Sequence, residues 1–243
     1  MKNKTYIIGD VHGEFNTLVA LIKKLPSNSN LIFVGDLVDR GKNSAAVVKY
    51  VRDNNHLCCM GNHEDMMIHY GTSFVKSYPS SAYNNFINMW INNGGKQTLL
   101  SYGLIEVDKY DGKLMCIEND EAFEQFKEDI QWMKKLPLYI KIPKLKKDDK
   151  KIVISHASCG NVWHHHNKLD KIETFKEYAL WNRTPPYPQC DIFNIYGHTI
   201  IDKVDTSLHY INVDTGCYMK DEITRELSIY CIEDDVVLSQ RRI

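Results

Sequence analysis

Three short apolar runs in the first quarter of the chain each end on a polar motif that opens with glycine. This pattern constrains the fold more than any other feature. Tyr6-Ile7-Ile8 leads into Gly9-Asp10-Val11-His12-Gly13, and Leu31-Ile32-Phe33-Val34 leads into Gly35-Asp36-Leu37-Val38-Asp39-Arg40-Gly41. A third run, His56 to Met60, leads into Gly61-Asn62-His63-Glu64. Runs of this length and bulk predict buried strands. Between the first two, Glu14 to Leu25 places Phe15, Leu18, Val19, Ile22 and Leu25 near helical spacing, and Pro26 closes the helix. Asn43 can cap a second helix with Ala46, Val47, Tyr50 and Val51 inward. The order is β-α-β-α-β. Parallel βαβ units leave their strand carboxyl ends on one sheet edge, so motifs far apart in sequence converge in space.

The remaining strands repeat the device. Ile152-Val153-Ile154 delivers Ser155-His156-Ala157, and Ile192 to Tyr196 ends in Gly197-His198-Thr199. Between the two groups the character changes. Gly94-Gly95, several tyrosines and the run Phe86-Ile87-Asn88-Met89-Trp90-Ile91 predict a helical insertion over about 66–135. Its last helix carries a stripe of Phe123, Phe126, Ile130 and Met133, which reads as core. Leu138 to Ile142 predicts a strand, and the lysines of 144–151 a solvated hairpin tip. Ile172 to Trp181 predicts a helix; 208–213, 227–232 and 236–238 predict strands. The expected fold is α/β, with two packed mixed sheets flanked by helices.

Composition narrows the class. No linker, repeat or low-complexity break divides the 243 residues, so one domain over 1–243 is expected. A net charge of −1 offers no basic face, which excludes nucleic acid held by bulk electrostatics. The seven cysteines are odd in number, irregularly spaced and form no CxxC, which predicts reduced thiols in a cytoplasmic protein. No apolar segment has the length of a signal peptide or a membrane span, so no membrane partner is expected. The oligomeric state is not encoded in these features.

The strand ends collect Asp10, His12, Asp36, Asp39, Arg40, Asn62, His63, His156 and His198. Carboxylates, imidazoles and a carboxamide without a thiolate suit manganese, iron or zinc. There are more ligands than one ion needs, so two divalent ions are expected. Asp10 and His12 alternate on one strand end and can face one ion. Asp36 is placed to bridge, and Asn62, His156 and His198 complete the second ion. Two dications sharing a water lower its pKa toward about 7, supplying hydroxide for in-line attack on phosphorus. His63, held through its other nitrogen by Asp39, is a candidate general acid. Arg40 offers a planar fork matching two phosphoryl oxygens.

GDVHG, GDLVDRG, GNHE, SHA and GHT, in that order, resemble the signature of the calcineurin-like metallophosphoesterases. Within them the match is to the serine/threonine phosphoprotein phosphatases of the bacterial and phage-lambda type. Asn93-Gly94-Gly95 with Thr98-Leu99, Leu180-Trp181-Asn182-Arg183 and Val213-Asp214-Thr215-Gly216-Cys217 extend the resemblance over the whole chain. It implies the same metal assignment, with manganese as the expected ion. It also implies Arg183 as a second phosphate-binding arginine beside Arg40, and His63 with Asp39 as the acid pair. Asp214 is read as stabilising a turn. His164-His165-His166 departs from the pattern and reads as a surface loop; Trp163 is open between groove and core.

The expected activity is a phosphomonoesterase acting on phosphoserine and phosphothreonine proteins or peptides, with phosphotyrosine a further option. The alternative is a dinucleoside polyphosphate hydrolase such as one acting on diadenosine tetraphosphate. That group has nearly the same motifs but usually alanine before the arginine, so Asp39 tilts the sequence reading to the phosphatase. A scaffold without catalysis is the third reading, and the full ligand set argues against it.

Overall fold

Strands β1 (Thr5–Ile8), β2 (Asn30–Phe33) and β3 (Leu57–Cys58) lie side by side in parallel in the computed structural model, which describes residues 3–78, 88–219 and 225–243. Helices α1 (Phe15–Ile22) and α2 (Ser44–Asp53) make the crossovers. The first ends before Leu25 because Lys24 and Leu25 donate to Leu21 and Ile22, which tightens the chain ahead of Pro26. Asn43 stands at the second N-terminus without a side-chain cap bond, and Val48 is buried beside Val47 and Val51, whereas Ala46 and Tyr50 are only half-buried. β3 is short because the Met60 N–H turns away to the Pro137 carbonyl.

β10 (Glu226–Cys231) pairs antiparallel with β1, and β11 (Val236–Arg241) with β10, giving the order β11-β10-β1-β2-β3. A second sheet runs β6 (Tyr139–Lys147), β7 (Lys150–Ser155), β8 (Ile192–Tyr196) and β9 (Ile211–Asn212). The lysine-rich stretch is strand for most of its length. Only Asp148-Asp149 form the tip, both at positive φ, as a two-residue hairpin turn requires. The strand predicted over 208–213 reduces to β9.

Alternation sorts the side chains into layers. Ile7, Ile32, Val34 and Tyr230 pack against Ile152, Ile154, Phe193, Ile195 and Ile211 between the sheets. Tyr6, Ile8, Leu31 and Phe33 face the helices through Leu18, Leu21, Val47 and Val51. Behind the second sheet, Val153 and Ile192 meet Phe175 and Ala179 of α6 (Ile172–Trp181). Two packed mixed sheets with helices on their outer faces are therefore observed as expected.

The 66–135 stretch holds most of α3 (Asn62–Ser77), then α4 (Lys96–Tyr102) and α5 (Asp120–Met133). It also holds a hairpin that its composition did not reveal, β4 (Ile105–Val107) with β5 (Leu114–Cys116). Phe126, Ile130 and Met133 are core, as is Asp129, which accepts from Tyr102 Oη at 2.8 Å. Phe86 and Ile87 of the aromatic run lie outside the described residues. No described helix is long and apolar enough to cross a membrane.

Candidate metal centre

Both sheets deliver their polar motifs to one place. Asp10 and His12 follow β1, Asp36 to Arg40 follow β2, and Asn62 and His63 open α3. His156 follows β7 and His198 follows β8, with the Gly197 N–H bonded to the His156 carbonyl at 2.7 Å. A cavity of about 100 Å³ is lined by Asp10, His12, Asp36, Asn62, His63 and His198. Arg40 and Arg183 also border it. His156 is buried beside it, with Nε2 2.8 Å from Asn62 Oδ1. The backbone is strained to achieve this. His12, Asp36, Asp39, Arg40 and His198 all take positive φ, between 46° and 71°. Each such residue costs roughly 1–3 kcal/mol, a strain the surrounding structure must hold.

Two clusters share Asp36. One is His12, Asp36 and His63; the other is Asp36, His156 and His198, with candidate ligand atoms within 4.8 Å of one another in each. His12 Nδ1–H donates to the Val38 carbonyl at 2.8 Å, which leaves Nε2 as a lone pair 3.4 Å from Asp36 Oδ2. Asp36 Oδ1 lies 3.4 Å from His156 Nε2 on the other side. His156 Nε2, His198 Nδ1 and Asn62 Oδ1 sit 2.8–3.1 Å apart. Asp10 accepts the His198 N–H at 3.2 Å. Glycine is obligatory at 197, because a Cβ there would lie 2.1 Å from Asp10 Oδ1.

This donor set fits divalent cations. Burial, with Asp214 and Asp36 nearby, raises the Asp10 carboxyl well above its ordinary range. Burial raises Asp214 to about 6, a backbone N–H opposing and Asp36 adding. Burial would also raise Asp36, but the imidazoles of His156, His63, His12 and His198 outweigh it and hold it low. Burial pushes His12, His156 and His198 down, His198 to about 3, which keeps the rings neutral as ligands must be. A pair of dications would neutralise the three crowded carboxylates and take the three neutral imidazoles as lone-pair ligands.

Beside them stands the His63 network. Asp39 is fully buried and accepts from His63 Nδ1 at 2.6 Å, Thr98 Oγ1 at 2.6 Å and Trp90 Nε1 at 3.0 Å. A carboxylate only accepts, so the His63 proton sits on Nδ1. Burial opposes charge on His63, but Asp36 and Asp39 outweigh it and raise its pKa. Arg40 Nη2 lies 3.0 Å from His63 Nε2. A guanidinium only donates, so Nε2 accepts in this arrangement; donating to a leaving group requires the imidazolium, with a second proton on Nε2, and Arg40 turned toward a phosphoryl group. Arg183 Nη1 donates to the His198 carbonyl at 3.1 Å, and Arg183 borders the same cavity.

Several residues of the site escaped sequence reasoning. Trp90 and Thr98 come from the insertion and carry no local signal of contact with Asp39. Tyr218 lies under the Arg40 guanidinium, 4.1 Å from carbon to ring centre, and edge-on to His12. Asp214 holds its turn through the Gly216 N–H, as expected, but also lines the cavity. Glu64 is fully buried and accepts from the backbone N–H groups of Asp36, Leu37 and Gly61 at 2.8–2.9 Å. It sets the loop that presents Asp36. Glu64→Gln places an amide NH₂ against those donors, and the expected loss is about 3 kcal/mol of stability in urea unfolding.

His164 to His166 lie in or beside a 3₁₀ turn, Gly160–His165, and do not border the cavity. His166 stacks on Trp163 at 4.0 Å, and Trp163 packs on Tyr139 and Phe175, which settles Trp163 on the core side.

The chain matches the calcineurin-like phosphoesterase family over residues 4–202. It belongs to that family of metallophosphoesterases. It is 26% identical over 249 residues to the asymmetrical bis(5'-nucleosyl)-tetraphosphatase PrpE of Anoxybacillus flavithermus, covering 90% of this chain and 87% of that protein. It is 26% identical over 226 residues to serine/threonine-protein phosphatase 2 of Salmonella typhimurium, covering 88% and 87%. A serine/threonine phosphatase structure from Saccharomyces cerevisiae has the same fold, at a TM-score of 0.61, 14% identity and coverage of 99% and 80%.

Proposed function

We propose that this metallophosphoesterase hydrolyses the phosphoanhydride chain of dinucleoside polyphosphates. The observation that carries the substrate class is the likeness to asymmetrical tetraphosphatases along 90% of the chain. This reverses the order given by sequence, where Asp39 favoured the protein phosphatase. The second reading, a phosphoserine and phosphothreonine phosphatase, keeps one specific support. The buried Asp39–His63 pair, 2.6 Å apart, is the proton source an alkoxide leaving group needs.

In either reading Asp10, His12 and Asp36 would hold one divalent ion, and Asp36, Asn62, His156 and His198 the other, manganese being our choice. Bound ions supply an activated water and offset phosphoryl charge. The chain's own residues do the rest. Arg40 and Arg183, which border the same cavity, grip phosphoryl oxygens. Asp39 fixes the His63 ring, and Nε2 faces the leaving oxygen once Arg40 has turned to the substrate.

Two assays on manganese-loaded protein test this, one with diadenosine tetraphosphate and one with a phosphothreonine peptide. Release of nucleotide at more than about tenfold the peptide's kcat/KM supports the proposal. The reverse ratio assigns the protein phosphatase. Chelation with EDTA is expected to abolish whichever activity is present, and manganese to restore it.

A further inference from the structure

Beside the metal cavity opens a second, larger cleft of about 470 Å³. Arg40, Asn93 and Tyr218 border both spaces, so the two adjoin at these residues. The far wall is the segment just before and at the start of α4, where Gly94, Lys96 and Gln97 face the cleft. That wall is clamped to the catalytic loop. The Arg40 N–H donates to the Gly94 carbonyl at 3.3 Å, Gly94 takes φ 111°, and a Cβ there would lie 2.6 Å from the Arg40 nitrogen. Thr98, further along the same helix, bonds Asp39.

Lys96 is half-buried in this wall and makes no ion pair among the described residues. An ammonium lining a cleft can serve as the counter-charge of a bound anion. Direction identifies which one. In-line displacement puts the leaving group opposite the attacking water, on the side of the general acid. His63 Nε2 is 3.0 Å from Arg40, and Arg40 is the boundary of the larger cleft. A leaving group on the His63 side is thus next to Arg40, which also borders the cleft that Lys96 lines.

We propose that this cleft is a leaving-group subsite for a second phosphate, with Lys96 as its counter-charge. This rests on the polyphosphate reading above and names how the site selects it. Water oxygen bonds to phosphorus and the anhydride P–O bond breaks. The electron pair stays on the leaving phosphate, and the water's proton passes to that phosphate or to solvent. The leaving anion gains charge in the step, and Lys96 faces it. A monoester has no second phosphate and makes no use of Lys96.

Calorimetric binding of AMP and of the non-cleavable α,β-methylene analogue of ADP (called ADP below) to the manganese-loaded protein tests this without turnover. The expected wild-type result is ADP bound at least about tenfold more tightly than AMP. Lys96→Met, which keeps the stem, loses that advantage while AMP affinity stays within about twofold; Lys96→Arg, which keeps the charge, retains most of it. Equal affinity of the wild type for ADP and AMP, or an undiminished ADP advantage in Lys96→Met, overturns the subsite. A protein that shows the expected ADP advantage yet leaves diadenosine tetraphosphate intact keeps the subsite and loses the proposed activity.

Discussion

Replacing His63 with asparagine is expected to lower kcat on a phosphothreonine peptide by about 10²–10⁴-fold. It should lower kcat on diadenosine tetraphosphate by about tenfold or less. The difference follows from the leaving group. An alkoxide is a strong base and departs only with a proton, which His63 Nε2 is placed to give. A phosphate leaves as a stable anion and needs little proton help. Asp39 accepts from Nδ1 at 2.6 Å and is itself fixed by Trp90 and Thr98, so the ring's orientation survives only while that carboxylate does. Steady-state kinetics of His63→Asn on both substrates reads the contrast. Equal losses on the two would remove the general-acid assignment and leave His63 a role in binding.

Asp36→Asn is expected to cost about 10³-fold in kcat on any phosphate substrate, with less than two manganese ions retained per chain after desalting. The substitution keeps the shape and removes one charge. Asp36 is the residue shared by both ligand clusters, its two oxygens 3.4 Å from His12 Nε2 and 3.4 Å from His156 Nε2. An amide presents only one oxygen and cannot face both sides as an anion. Metal analysis by atomic emission beside turnover separates the effects. Full metal content with turnover near the wild-type rate would show that Asp36 does not bridge.

Much of the site was legible because the informative signals are local. A strand ending in glycine and a carboxylate is a contiguous pattern, and parallel βαβ order then dictates that such ends share an edge. Strand-end pattern alone thus gathers Asp10, His12, Asp36, Asn62, His63 and His198 into one site, and they line one cavity. Arg183 was reached only through resemblance, and it borders the same cavity. Glu64 could have been found, since a carboxylate one residue after a candidate acid, at the start of a helix, has free backbone donors before it. The hairpin β4–β5 was missed because its strands have three residues each, too few for alternation to show.

The amino-acid sequence by itself determined the parallel β-α-β-α-β succession of the first quarter, the residues that carry the chemistry and the family. Each depends on spacing along the chain, which side-chain size and periodicity record. Tertiary structure alone decided what surrounds them. Trp90 and Thr98 meet Asp39 from more than fifty residues away, Tyr218 meets Arg40 from still farther, and Lys96 faces a cleft beside the close approach of Gly94 to the Arg40 backbone. Contacts between distant segments are set by how helices and sheets pack as bodies. Packing depends on the whole core at once, and no short stretch of sequence holds it.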